Sequence, residues 1–473
     1  MYKSMDVYDD KPHEECGVFG IFDRDLSAVH ETYYGIFALQ HRGQESAGIT
    51  VSDGKTMETF RGMGLVTEVF HNLPEKEGHI GIGHVRYSTT GSSIPVNVQP
   101  LQADSIDGPM ALAHNGNLVN TKNLRRRLLL EGSTFSTTMD TEVIIKLLAR
   151  SRRATEEEKF KELMDEIHGA YAIVACTNQA IYGCRDPFGY RPLVLGKTEH
   201  GWVLASETPA LDAIDAEFVR DVLPGEIVTI DDNGVRSTMY CPVDSHCHGI
   251  CSFEYIYFAR PDSIMNGQDI YRARLNMGRK LWEETHYDGD VVMSVPDSGN
   301  VAALGYSAAS GIPFVEGLLK NKYMGRTFIQ PGQKKRERAV RMKLNPIRMN
   351  VEGKRSILVD DSIVRGTTSG IIINLLKNAG AKEIKLCISS PPVRYPCFFG
   401  IDTAERKQLI AAKYSTEEIR KMIGADALHY LSQEGLAESI SEIKASDMCF
   451  ACFDGVYPEK VPHNGLGSME DEE

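Results

Sequence analysis

The apolar positions of this 473-residue chain change their rhythm about halfway along. Before residue 240 they come in short runs punctuated by glycine, at 80–87, 110–114, 171–176, 203–206 and 227–230. Runs of that length read as strands. Helical spacing appears between them, at 32–39, 123–131 and 141–149. This mixture predicts a layered α/β sandwich of mostly antiparallel sheets. After a helix expected at 272–284, strand and helix alternate: 291–295 then 300–309, 355–360 then 367–379, then 384–389. Such alternation predicts a parallel, doubly wound sheet. The change of rhythm puts a domain boundary within 244–251, giving domains at 16–250 and 251–473. Residues 1–15 form a short polar leader without the apolar stretch of a signal peptide. The end of the chain, from about His463, is acidic and is expected to be disordered.

The most specific stretch lies at 357–369, Ile-Leu-Val-Asp-Asp-Ser-Ile-Val-Arg-Gly-Thr-Thr-Ser. An apolar strand ends in Asp360 and Asp361. A short loop carries Ser362, Arg365 and Gly366, and the hydroxyls of Thr367, Thr368 and Ser369 open a helix. Free backbone N–H groups at a helix N-terminus bind phosphate. Carboxylates at the carboxyl end of a parallel strand sit where open α/β sheets put their ligands, and they suit ribose hydroxyls or Mg²⁺. The stretch resembles the signature of the type I phosphoribosyltransferases, whose substrate is phosphoribosyl pyrophosphate (PRPP). Without that resemblance it would read as a strand–turn–helix with a chance acidic pair.

A second group of motifs lies in the first half. Glu14-Glu15-Cys16-Gly17 precedes a strand-like run. Gln40-His41-Arg42-Gly43-Gln44-Glu45-Ser46, Gly83-His84-Val85-Arg86-Tyr87-Ser88-Thr89, His114-Asn115-Gly116-Asn117 and Met139-Asp140-Thr141-Glu142 follow in order. Together they resemble the glutaminase domain of the N-terminal-nucleophile amidotransferases, an αββα sandwich. Joined to the PRPP motif, they make the chain similar to the glutamine PRPP amidotransferase family from about Cys16 to about Cys452. That likeness implies glutamine hydrolysis at Cys16 and use of the ammonia at C1 of PRPP. The product would be 5-phosphoribosylamine, the first committed intermediate of purine (IMP) synthesis. If the leader is cut at Glu15–Cys16, one residue supplies both a thiol and an α-amine of reference pKa ~7.7–8.0, a suitable base at neutral pH. The resemblance implies Arg86 for the glutamine α-carboxylate and Asp140 for its α-ammonium. It implies Asn115 and the Gly116 N–H for the oxyanion. Read alone, Cys16 would be a core cysteine, Arg86 a surface ion-pair partner, Asp140 a helix cap and Asn115-Gly116 a turn.

In the second half, Val295-Pro296-Asp297-Ser298-Gly299 offers a tight loop for pyrophosphate or a metal-bound oxygen. The resemblance assigns Mg²⁺ to Ser298, Asp360 and Asp361. Residues 321–328 and the basic run at 334–341 look like the family's loop that orders over PRPP. A net charge of −13 disfavours a nucleic-acid partner, and no apolar run reaches the roughly 20 residues of a membrane helix. With no sign of export the expected location is the cytoplasm, where ten cysteines argue for metal or catalytic roles rather than disulfides. Cys251, Cys397, Cys449 and Cys452 stand in contexts that, in cluster-bearing members, hold a [4Fe–4S] group. Zinc is the rival, because Cys241, His246, Cys247 and His248 could join Cys251. Cys176, Cys184 and Cys387 read as core. The family likeness further implies a homotetramer and feedback by the purine nucleotides AMP, GMP and ADP. A non-catalytic PRPP-sensing regulator and a different glutamine amidotransferase are the alternatives. The first lacks any need for a glutaminase half, the second for a PRPP motif.

Overall fold

The computed structural model describes residues 16–25, 27–87, 93–240, 249–321, 343–401 and 406–461. The leader, the possible zinc ligands Cys241, His246, Cys247 and His248, most of the expected PRPP-covering loop and the acidic tail lie outside them.

Two antiparallel sheets build the first half. One has seven strands, with Cys16–Asp23 at its centre between Gly201–Ala205 and Ile80–Arg86. The other has six, with Gly108–Leu118 paired to Gly169–Cys176. The Cys16–Asp23 strand is buried along its whole length, so polarity does not alternate, but packing does. Val18 and Phe22 face the second sheet, meeting Ala113, Ala172 and Val174. Phe19 and Ile21 face the other way, toward the Ala28–Ala38 helix. The second sheet is covered in turn by Thr141–Arg150 and Glu156–Glu166, through a core of Leu112, Ile144, Leu148, Phe160 and Tyr171. The order helix, sheet, sheet, helix is the expected αββα sandwich.

The second half is a four-stranded parallel sheet in the order Val291–Ser294, Arg355–Asp360, Glu383–Ile388, Ala427–Tyr430. Ile357 and Val359 pack on one face with the Ile270–Thr285 helix. Leu358 packs on the other with Ile372, Ile373 and Leu376 of the Thr367–Asn378 helix. Burial on both faces explains the unbroken apolar run that ends at Asp360. Leu318–Lys320 and Leu344–Pro346 form a two-stranded ribbon that flanks the undescribed 322–342 segment. No described helix is long and apolar enough to cross a membrane.

The Phe19 ring fills the space over Gly35, where an added Cβ would lie 2.3 Å from it. Phe19→Ala should therefore cost about 3–5 kcal/mol. Urea-induced unfolding should begin at a lower midpoint, and an unchanged midpoint would refute this packing account.

Candidate active sites

The residues marked in the first half converge at one end of the sandwich. Cys16 opens the central strand and pairs in register with Arg86, which also pairs with Ser46. The residue is 6% exposed, and its thiol donates to the Tyr87 carbonyl at 3.9 Å. Arg86 is buried and donates to Met139 Sδ at 3.2 Å. Gly43 lets the 40–45 loop lie against this strand: a Cβ there would stand 2.5 Å from the Arg86 nitrogen. Asp140 caps the Thr141–Arg150 helix, accepting from the Thr141 N–H at 2.9 Å and the Leu118 N–H at 3.2 Å. A carboxylate has about four lone-pair sites, so capacity remains for a cation.

Asn115 and Gly116 lie inside a strand, paired with Ala172 and Tyr171, and not in a turn. Gly116 has φ +137°, and a Cβ would meet the Ala170 carbonyl at 2.1 Å, so only glycine fits. Asn115 is fully buried, yet among the described residues neither its amide nitrogen nor its amide oxygen has a partner. An unpaired buried polar group costs about 1–3 kcal/mol, so this amide keeps both a donor and an acceptor available to a ligand.

The second candidate site sits at the carboxyl end of the Arg355–Asp360 strand. Asp361 is buried and held on both oxygens: Ser298 Oγ donates to Oδ1 at 2.5 Å and Ser362 Oγ to Oδ2 at 2.7 Å. The Asp361 N–H donates to Asp360 Oδ1 at 2.9 Å. The loop carrying Asp297 and Ser298 is fastened to the strand by Val295 N–H to the Val359 carbonyl, 2.9 Å. Gly299 permits this, since a Cβ would lie 2.5 Å from that carbonyl. Gly366, at φ +79°, turns the chain into the Thr367–Asn378 helix, whose first N–H groups belong to Thr367, Thr368 and Ser369. Arg365 precedes that turn, and Asp297 pairs with Lys320 at 2.5 Å. The strand, turn and helix of 355–378 are thus assembled as their local spacing predicts.

Residues 84–213 match the model of a glutamine amidotransferase domain family. The chain is 48% identical to the amidophosphoribosyltransferase of Methanothermobacter thermautotrophicus, covering 95% of each chain. It is 50% identical to that of Synechocystis, over 96% of this chain and 92% of the relative. Among solved structures it resembles the glutamine PRPP amidotransferase of Bacillus subtilis complexed with ADP and GMP. That likeness has TM-score 0.90 and 47% identity over 95% of this chain and 99% of the other. The chain belongs to the amidophosphoribosyltransferase family.

In this amidophosphoribosyltransferase the four marked cysteines also come together. Cys251 and Cys449 are register partners in a short parallel pair of strands. The Cys452 carbonyl accepts from the N–H groups of Arg394 and Tyr395 at 2.9 and 3.1 Å, which brings in the loop of Cys397. Burial pushes the Cys251 and Cys452 thiols well above their usual range, and the other thiols of the group add to the shift. Burial likewise takes Cys449 up to about 12. Among the described residues no three His, Cys, Asp or Glu side chains converge tightly enough to hold a single metal ion. Cys176, Cys184 and Cys387 are buried in strands.

Sequence reasoning passed over a set of buried charges between the halves: Arg42, Glu207, Glu254 and Arg191. The available signal was a lone acid among aromatics, Phe253-Glu254-Tyr255, and an arginine in an apolar stretch at 190–195.

Removing the Asn115 amide should lower glutamine hydrolysis by about 10²–10³ in kcat, as loss of one oxyanion donor does elsewhere. Asn115→Ala assayed by glutamate release checks this. Activity within a few-fold of the parent would reject the role.

Proposed function

We propose that this amidophosphoribosyltransferase hydrolyses glutamine at Cys16 and uses the ammonia to displace pyrophosphate from C1 of PRPP, giving 5-phosphoribosylamine. The observation that carries the glutaminase assignment is the Asn115 amide beside Gly116, unpartnered among the described residues and in the same site as Cys16. Attack of the thiolate on the glutamine carboxamide forms a thioester and expels ammonia. The Asn115 amide and the Gly116 N–H receive the oxyanion, and water then releases glutamate. Arg86 binds the α-carboxylate and Asp140 the α-ammonium. Residues 1–15 are removed as a propeptide so that the freed α-amine of Cys16 takes the thiol proton. The glutaminase domain then runs 16–250 and the phosphoribosyltransferase domain 251–473.

At the second site, the N–H groups of Gly366, Thr367, Thr368 and Ser369 bind the 5-phosphate, with Ser362 and Arg365 alongside. Asp360 and Asp361 hold the ribose hydroxyls. The loop with Asp297 and Ser298 takes the pyrophosphate. Ser298, Asp360 and Asp361 also fit Mg²⁺, which typically takes only one or two carboxylates and completes its shell with waters and phosphates. Bound there, it would neutralise charge on the leaving pyrophosphate.

Cys251, Cys397, Cys449 and Cys452 fit a [4Fe–4S] cluster. Their mutual proximity supports that reading. The cluster would fasten the 448–454 segment to the domain. We further propose a cytoplasmic homotetramer inhibited by purine nucleotides such as AMP, GMP and ADP. The relative crystallised with ADP and GMP supports nucleotide binding.

The decisive experiment uses a chain beginning at position 16. Cys16→Ala should abolish glutamine-dependent synthesis and leave ammonia-dependent release of pyrophosphate from PRPP intact, because the Asp360–Ser369 site is untouched. Loss of the ammonia reaction with PRPP binding retained would overturn this division. Separately, anaerobically purified protein should be brown and contain about four irons per chain. Stoichiometric zinc without iron would refute the cluster.

A further inference from the structure

A cleft of about 350 Å³ opens at one edge of the parallel sheet, where the strands Glu383–Ile388 and Ala427–Tyr430 end. Ile388 and Tyr430 are register partners, and the Leu431 N–H donates to the Ile388 carbonyl at 2.8 Å. The PRPP-site loop follows a different strand, Arg355–Asp360, and contributes nothing to the lining. Carboxyl ends of parallel strands are where open α/β sheets bind their ligands. The volume also lies within the roughly 300–1,000 Å³ of small-molecule sites. Pro391, Pro392 and Phe453 give the cleft apolar walls. Arg394 is set beside them by its backbone, whose N–H donates to the Cys452 carbonyl at 2.9 Å.

Several polar groups of the lining are already engaged. His429 Nε2 lies 2.7 Å from Glu284 Oε2, and Ser432 Oγ donates to Glu284 Oε1 at 2.6 Å. Gln433 Nε2 donates to Asp454 Oδ2 at 3.1 Å. Two others are not engaged. Tyr430 is 7% exposed, and its hydroxyl has no partner among the described residues. Burial pushes its pKa up, so the hydroxyl keeps its proton and remains a donor at neutral pH. The Arg394 side chain is exposed at the rim and makes no hydrogen bond or ion pair among the described residues. The cleft therefore holds an unspent positive charge and an unspent buried donor, whereas the acids bonded to its lining, Glu284 and Asp454, already have partners.

A buried hydroxyl without a partner lowers stability, so its retention calls for a physical reason. An anionic group supplies one. A carboxylate or phosphate has lone pairs enough to accept from a forked guanidinium and a hydroxyl together. We propose that this cleft binds a small organic anion, whose carboxylate or phosphate accepts from Arg394 and from the Tyr430 hydroxyl while its apolar body lies against Pro391, Pro392 and Phe453. The site is separate from the glutamine and PRPP sites and does not depend on the reading of either.

The test titrates the full-length enzyme with three probes that share one ring and differ in the head group: 4-fluorobenzoate, 4-fluorophenyl phosphate and the neutral 4-fluorobenzyl alcohol. Binding is read from the fluorine NMR signal. At least one anionic probe should bind the parent about tenfold or more tightly than the alcohol does. Tighter binding of the benzoate would point to a carboxylic acid as the ligand, and tighter binding of the phosphate to a phosphate monoester. Arg394→Gln and Tyr430→Phe should each weaken that binding about tenfold, the size of one lost charge-assisted hydrogen bond. Affinity equal in the parent and both variants would place the anion elsewhere, for example on the loop before Thr367–Asn378, and overturn the proposal. So would an alcohol that binds as well as the anions, or no binding by either anion. Urea unfolding without a probe gives an independent check. Tyr430→Phe should unfold at a midpoint no lower than the parent's, because the hydroxyl it removes had no partner to lose. A lower midpoint would show that the hydroxyl is already satisfied within the protein, and would reject its role as a free donor.

Discussion

The structure depends on keeping two arginines and two glutamates dry between its halves. Removing such charges from water is expensive, and the expense is met only where every lone pair and donor has a partner. Here Glu254 is shared by Arg42 and Arg191, and Glu207 is shared by Arg42, His41, the Arg260 N–H and Ser263. Taking away one member would strand another in a medium that cannot solvate it, a loss of roughly 3–5 kcal/mol for a buried pair. A guanidinium is planar and forked, so these contacts fix orientation as well as distance. The two halves therefore meet in one geometry. Tyr190 stacked on Phe399 at 4.3 Å and Asn117 donating to the Phe398 carbonyl at 2.8 Å reinforce it from the neighbouring loop.

The two candidate sites are prepared in opposite ways. At the glutamine site polar capacity is left open: the Asn115 amide is buried with no partner among the described residues, beside a glycine whose close packing admits no side chain. At the PRPP site the carboxylate is already engaged, since Ser298 and Ser362 hold both oxygens of Asp361. An open amide suits charge that appears only during a reaction, because fixed donors need no rearrangement as the oxyanion forms. A pre-bonded carboxylate suits a substrate that arrives with hydroxyls and phosphates and must be oriented.

The four-cysteine group occupies a position consistent with this division. It lies beside Arg191, where Cys397 adjoins the Phe399 residue whose carbonyl the arginine grips. Cys449 and Cys452 bring the 448–454 segment to the same place, and the parallel pairing of Cys251 with Cys449 ties the start of the second half to its end.

Much of this was legible in the sequence where the determinant is local. Asp360-Asp361 followed by Arg365-Gly366 and three hydroxyls specifies strand, turn and helix N-terminus within thirteen residues, because each step obeys short-range geometry. The apolar runs revealed both sheets, and the switch from glycine-punctuated strands to strand–helix alternation distinguished antiparallel from parallel architecture. Asn115-Gly116 misled when read alone, because the dipeptide favours a turn and only the approach of Ala170 makes the glycine a requirement of the strand. The pairing of the charges between the halves was not legible. Arg42 and Glu254 are 212 positions apart, and nothing in either neighbourhood names the other. Apolar spacing determined the two folds, since those arise from the backbone's local preferences and the burial of apolar runs, while the candidate chemistries of the first half came from the family resemblance of its motifs. Only the tertiary structure decided which charges would share a dry interface, because that pairing depends on how two independently patterned surfaces meet.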